Sequence, residues 1–265
     1  MKERILQGAP NFRDLGGMET ADRRRVKPHR LLRCGHLHDL TAADRERLVA
    51  EYGLRTVIDL RTSGEMARKP DVVLPGVTYI HLPIFENQAE GVTRETVTED
   101  DPVGRMIAMA EKMEGQAFQR MRELYKIFLD DHGIAMYRRF FEQLLAQEKG
   151  AVLWHCTMGK DRCGTAAALL ETALGVPYET VLADYLLTND FVLPETEKTI
   201  QKARERIDDE SLFEQMRILD SVYEEFLDTV LGIAKEHSGS LEAFIHQELG
   251  MTPKKTERLK ELYLE

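Results

Sequence analysis

Cys156 stands six residues before Arg162, with Gly159 between them, in the run His155-Cys156-Thr157-Met158-Gly159-Lys160-Asp161-Arg162. A free thiol has a pKa of about 8.5 and is mostly protonated at neutral pH; a helix N-terminus and a nearby cation lower that to roughly 3.5–7.5. Both are expected here. The Ala/Leu-rich stretch that follows reads as a helix, whose unpaired N–H groups and dipole favour an anion. Arg162 lies at its entry, where a planar guanidinium can hold two phosphate oxygens. Gly159 permits the turn that points backbone N–H groups inward, so Thr157, Met158, Gly159 and Lys160 become the substrate-binding turn. Phosphoryl transfer asks a protein mainly for positioning and charge stabilisation. Cys156 would attack phosphorus, a phosphocysteine would form, and water would release phosphate. The plainer alternative is a buried structural cysteine. A nucleotide P-loop is excluded, because Trp154 stands where that motif needs glycine and Asp161 where it needs a hydroxyl.

The elements around this run must hold it in place. Ala151-Val152-Leu153-Trp154 opens a strand over 151–156, and a helix follows from about 163 to 174, stopped by Gly175 with Pro177 beyond. Upstream, Asn11–Gly17 (NFRDLGG) ends in a turn, Arg30–Cys34 reads as a strand, and Thr41 caps a helix carrying Leu48, Val49 and Tyr52. Arg55–Leu60 and Val77–Leu82 are further strands; residues 86–104 form a polar loop. Helices are expected near 105–114, 116–130 and 134–148, the second with Phe118, Met121, Leu124, Tyr125 and Phe128 on one face. Residues 178–265 read as mostly helical. Strands alternating with helices predict an α/β protein, a parallel sheet covered on both faces.

The chain has 265 residues, enough for one large domain or two small ones. No apolar run approaches the roughly 18 residues a membrane span needs, and the start lacks the apolar core of a signal peptide. Cytoplasmic residence is the default expectation, with leaderless export left open. Three cysteines without a C-x-x-C pair argue against a disulfide framework or a structural zinc. His36, His38 and His155 are not spaced as a metal site. No cofactor and no metal are expected. A net charge of −10 disfavours nucleic acid, whose binding rests on Lys and Arg meeting phosphates.

The cysteine loop, with NFRDLGG (11–17), LLRCGHL (31–37) and TVIDLRTSGE (56–65), resembles the bacterial tyrosine phosphatase-like family with tyrosine and phosphoinositide phosphatase activity. DYLLTN (184–189) and SLEAFIHQELG (240–250) extend the resemblance over nearly the whole chain. It implies a protein tyrosine phosphatase-like fold: a central mostly parallel sheet flanked by helices, with a helical insertion before the catalytic strand. It also implies a single domain over 1–265, with a helical lid at about 100–130. Cys156 matches the nucleophile and Arg162 the phosphate-binding arginine. Most tyrosine phosphatases keep the general acid on a separate loop, but His81–Asn87 here holds no Asp. Asp161 is the family's alternative acid, with Glu86, Asp100 and Asp101 as rivals and a dipole-complementing carboxylate as the bland reading. Lys160 would add a second cation for phosphoinositides, or else face solvent. Arg13, Asp14, Asp59 and Arg61 would brace the loop. The expected partners are a phosphorylated protein or a phosphoinositide, with phosphate as product or inhibitor.

One position departs from the family. Cys163 stands where a threonine or serine hydroxyl is normal, beside the nucleophile, and a thiol is the weaker donor. It could slow release of the phosphoenzyme, pair reversibly with Cys156 under oxidation, or be a small buried residue. Met106, Met109, Met113 and Met121 suit core packing or an apolar lid. Arg23-Arg24-Arg25 with Lys27 and Arg30 suit an exposed turn or an anionic membrane. Two other readings stand beside the phosphatase: a rhodanese-like sulfurtransferase and a catalytically weak phospholigand-binding module.

Overall fold

In the computed structural model, which describes residues 5–86 and 101–265, five strands form one sheet in the order β1-β2-β5-β3-β4. They are β1 (Arg13–Asp14), β2 (Leu31–Cys34), β3 (Leu54–Asp59), β4 (Thr78–His81) and β5 (Ala151–His155). Only β1 runs antiparallel, at the edge beside β2; the other pairings are parallel. β5 is central and every residue in it is buried, as a parallel strand covered on both faces demands. Alternation along the strand sends Val152 and Trp154 into the larger core and Ala151 and Leu153 into the smaller one on the opposite face.

The larger core is helical. It gathers α3 (Pro102–Lys112), α4 (Ala117–Ile127), α5 (Asp131–Ala146), α6 (Asp161–Leu174) and α7 (Tyr178–Leu186) with the C-terminal helices α8 (Thr188–Ala203) to α12 (Pro253–Tyr263). Between these last two lie α9 (Glu210–Asp220), α10 (Glu224–Ser238) and α11 (Leu241–Gln247). The smaller core takes in the N-terminal segment and Leu48 of the π-helical turn over Arg47–Glu51, into which α1 (Ala42–Glu46) runs on. Thr41 and Asp44 close a capping box on α1. Within the turn Leu48 faces inward, but Val49 is 37% exposed, against the expected helical face.

Three differences from the sequence reading matter for function. A short helix, α2 (Ser63–Arg68), follows β3 and was not foreseen. Its start is a second capping box, Thr62 with Glu65. Helix α6 begins at Asp161 rather than 163, so Arg162 sits within its first turn. Helix α3 begins at Pro102 with Asp101 as its cap, so the loop expected over 86–104 ends earlier; Asp100 and residues 87–99 lie outside the described residues. Met106, Met109, Met113 and Met121 are all buried; Met109 and Met121 also line the cavity over the cysteine loop. The basic run is an ordinary turn: Arg24 pairs with Asp22, Arg25 with Glu19, and Lys27 bonds the carbonyls of Glu261 and Leu262. No described helix is long and apolar enough to cross a membrane.

Candidate active site

The carboxyl ends of parallel strands are where open α/β sheets hold ligands. Here β5 ends at His155 and enters the loop Cys156–Lys160, β3 ends beside α2, and β2 ends at Cys34. Gly159 has φ of +70°, and a Cβ there would lie 2.4 Å from the Cys34 carbonyl carbon, so only glycine lets the loop turn this close to β2. The Gly159 carbonyl accepts from Asn11 Nδ2 at 2.9 Å and from Arg33 at 3.0 Å. Arg33 in turn pairs with Asp184 at 2.7 Å. Helix α6 has no side-chain cap, which leaves its first N–H groups to a ligand.

Cys156 is 2% exposed at the floor of a narrow cavity of about 60 Å³ that Thr157, Met158, Lys160, Asp161 and Arg162 also line. Burial pushes its thiol up. The Cys163 thiol and the Arg162 charge more than offset that, and the net value falls to about 6. Cys163 is itself pushed well above the usual thiol range, first by burial and then by the hydrogen bond it gives Cys156. The Cys34 carbonyl, at 3.7 Å, is its other acceptor. The Cys163 thiol thus lies beside the nucleophile, at the position where the resemblance leads one to expect a hydroxyl.

Arg162 is forked onto Glu65, with contacts of 2.6 and 2.9 Å to its two carboxylate oxygens. Burial works against both charges. The pair nevertheless holds Arg162 above its ordinary value and Glu65 far below its own. Glu65 also accepts from the Thr157 hydroxyl at 2.5 Å, so one carboxylate orients the arginine and the loop together. The face of Phe85 lies 5.1 Å from the guanidinium carbon. Asp161 lines the same cavity and accepts from the Tyr125 hydroxyl at 2.7 Å; Tyr125 meets Tyr185 at 2.6 Å.

The remaining expected residues divide. Lys160 is 4% exposed, not solvent-facing: its ammonium bonds the carbonyls of Leu219 and Ser221 at the C-terminal end of α9 and lies 3.6 Å from Asp161. Asp59 and Arg61 brace the loop from beneath. Arg61 forks onto Asp59 and reaches Asp71 at 2.9 Å, while His155 lies 2.9 Å from Asp71 and 3.3 Å from the Cys156 carbonyl. Burial alone would lower His155; Asp59 and Asp71 carry it above its ordinary value. The ligand atoms of Asp59, Asp71 and His155 sit within 4.8 Å of one another, but Arg61 occupies the place of a cation.

Arg13 acts one step away, on the Asp184 carbonyl at 2.6 Å and the Thr188 hydroxyl at 3.1 Å. Asp14 does not reach the loop. It accepts from the N–H groups of Gly16 and His29 and shapes its own turn. Glu86 is held by Ser63, and Asp101 by Arg206 and the start of α3, so neither rival acid points into the cavity. Asn11, Glu65 and Tyr125 were not singled out from the sequence. The Thr62-x-x-Glu65 capping box was the visible signal for Glu65.

A measurement of Cys156 follows from its surroundings. Iodoacetamide inactivation is expected to accelerate as pH rises through about 6 and then level off, because only the thiolate reacts. In Cys163→Ala the midpoint moves up, and in Cys163→Thr, which keeps a donor, it moves less. Mass spectrometry should place the adduct on Cys156, with Cys34 and Cys163 buried and protonated. An unchanged midpoint in Cys163→Ala would remove the proposed thiol donor.

Comparison with known proteins shows the family. A model of the tyrosine phosphatase family matches residues 5–265. The triple specificity protein phosphatase PtpB of Mycobacterium tuberculosis is 30% identical over 260 residues, 94% of this chain and 91% of that one. A tyrosine-protein phosphatase of Nostoc commune is 29% identical over 163 residues, 61% of this chain and 49% of that one. Among solved structures, Pseudomonas aeruginosa TpbA aligns over 74% of this chain and 88% of its own at 15% identity and a TM-score of 0.30. The chain belongs to the tyrosine phosphatase family, enzymes that hydrolyse phosphoric monoesters.

Proposed function

We propose that this chain hydrolyses phosphotyrosine and phosphoinositide monoesters through a phosphocysteine on Cys156. The observation that carries the reading is the Arg162 guanidinium, forked onto Glu65 beside a thiol brought down to about 6. The sulfur attacks phosphorus, Arg162 and the N-terminus of α6 hold the equatorial oxygens, and Asp161 protonates the leaving oxygen. Water, activated by the same carboxylate, then cleaves the thiophosphate and releases phosphate. Tyr125, backed by Tyr185, fixes the direction of the Asp161 carboxyl. The relative from M. tuberculosis is named for triple specificity, which supports a range of esters beyond phosphotyrosine. We read 1–265 as one phosphatase domain of the cytoplasm, with α3 and α4 as the lid of the cavity. The sulfurtransferase alternative has no support in the family match.

Two experiments test this. A phosphotyrosine peptide and a phosphatidylinositol monophosphate should both release inorganic phosphate without added metal, and thiosulfate should yield no sulfur transfer. Asp161→Asn should lose about a hundred-fold with phenyl phosphate, the scale of one general acid. Its kcat/KM should fall little with p-nitrophenyl phosphate, whose leaving group departs without a proton and whose kcat/KM does not include the later water step. Equal losses on the two esters would take the acid role from Asp161.

A further inference from the structure

A second hollow, of about 220 Å³, adjoins the catalytic cavity and shares Glu65, Thr157 and Met158 with it. Its far walls are His36 and His38 beyond β2, Arg68 and Lys69 at the end of α2, and Arg105 of α3. We propose that this hollow is a second phosphate subsite, which takes a further phosphate on an inositol headgroup whose scissile phosphate lies at Cys156. The assignment rests on the phosphatase reading above and names its substrate class.

The charge balance points to an anion. Arg61 and Glu65 also border the hollow, but each is committed, to Asp59 and Asp71 and to Arg162 respectively. Lys69 and Arg105 then stand against Asp39 among the described residues, in a protein whose net charge is −10. A local reversal of that kind, beside the loop that binds the first phosphate, concentrates anionic ligands. Lys69 has no ion pair among the described residues, and Arg105 Nε is buried with no hydrogen-bond partner. The rings of His36 and His38 stack at 3.8 Å, and the Nδ1 atoms of both are buried and likewise unpartnered. Burial, His38 and Lys69 hold His36 down at about 3. Burial lowers His38 as well, so both rings are neutral at physiological pH and carry one N–H each; that of His38 is drawn to Asp39, 3.2 Å from its Nε2, which leaves His36 as the ring suited to donate to a phosphate oxygen. The ligand atoms of His36, His38 and Asp39 come within 4.8 Å of one another, as a metal would need. Three cationic side chains sharing the hollow make it a poor home for a dication. Rigid placement comes from the loop itself: the His36 N–H bonds the Thr157 carbonyl at 3.1 Å, so the two phosphate positions are fixed relative to each other.

The test compares wild type with Lys69→Ala/Arg105→Ala. The substrates are p-nitrophenyl phosphate, dioctanoyl phosphatidylinositol mono- and bisphosphates, and the deacylated headgroups of both lipids. Wild type should show a KM for the bisphosphate about ten-fold below that for the monophosphate, in lipid and soluble form alike, the scale of a charge-assisted contact. The double variant should lose that preference while kcat and p-nitrophenyl phosphate turnover stay unchanged. Persistence of the preference in the double variant overturns the assignment. So does a preference confined to the lipid form, which would mark a membrane surface, or an equal preference for a doubly phosphorylated peptide. Calorimetry of the two soluble headgroups on Cys156→Ser reads the subsite apart from turnover. Equal Kd values there sink the subsite, whereas failure of wild type to hydrolyse p-nitrophenyl phosphate sinks the phosphatase reading.

Discussion

Cys156→Ser is expected to abolish hydrolysis, by on the order of a million-fold, the loss seen when an enzyme's nucleophile is removed. The field at this position brings a thiol from 9.0 to about 6. An alcohol starts many units higher, so the same field leaves serine protonated and unreactive at neutral pH. The phosphate-binding groups stay in place without the sulfur: the Arg162–Glu65 fork, the Thr157 hydroxyl and the N-terminus of α6 all remain. The variant should therefore still bind a phosphotyrosine peptide by calorimetry while releasing no phosphate. That pairing also separates an enzyme from a phospholigand-binding module, because a module would show wild-type binding and no turnover before the change as well. Hydrolysis by Cys156→Ser near the wild-type rate would remove Cys156 from the mechanism.

Arg162→Lys should cost about a thousand-fold or more in kcat/KM, in line with removal of a transition-state arginine in other phosphoryl transfers. A guanidinium presents donors along two edges, so it can stay forked on Glu65 and still offer N–H groups to a phosphoryl oxygen. An ammonium is a point charge and cannot do both. Arg162 is also the second of the groups that bring Cys156 down. Lysine keeps a charge but places it less well, so the iodoacetamide midpoint should rise in the same variant. Glu65→Gln keeps the guanidinium and loses its anchor. It should lower kcat less, but cost about 3–5 kcal/mol of stability, the usual consequence of stranding one member of a buried pair. A thermal melt together with kcat/KM distinguishes the two: Arg162→Lys is mainly a catalytic loss and Glu65→Gln mainly a stability loss.

The order of elements and the anion-binding loop were legible because they are written locally. Apolar Ala151–Trp154, the glycine at 159 and the helix-forming run after it lie within one stretch of chain. The family pattern added the acid, Asp161. What could not be read is what meets the loop from afar. Glu65 lies 97 residues before Arg162, and Asn11 lies 148 before Gly159; only the parallel pairings of β5 with β2 and β3 bring them there. For the same reason the partners of Arg13, Asp59 and Arg61, which the resemblance offers as braces of the loop, were invisible. Asp14, two residues before a glycine turn, carried the local signal of a turn former and proved to be one. Lys160, expected either to add a cation for phosphoinositides or to face solvent, meets carbonyls about 60 residues downstream that no local pattern reveals.

Those acceptors have a consequence for how the chain tolerates change. The Lys160 ammonium ends on the backbone at 219 and 221, and a peptide carbonyl is present whatever side chain the position carries. The tether is thus one-sided: the corner after α9 can exchange its residues freely and still receive the amine, while position 160 has no such latitude. Diversification of the cavity wall near α9 is uncoupled, by this single contact, from the integrity of the loop beneath it.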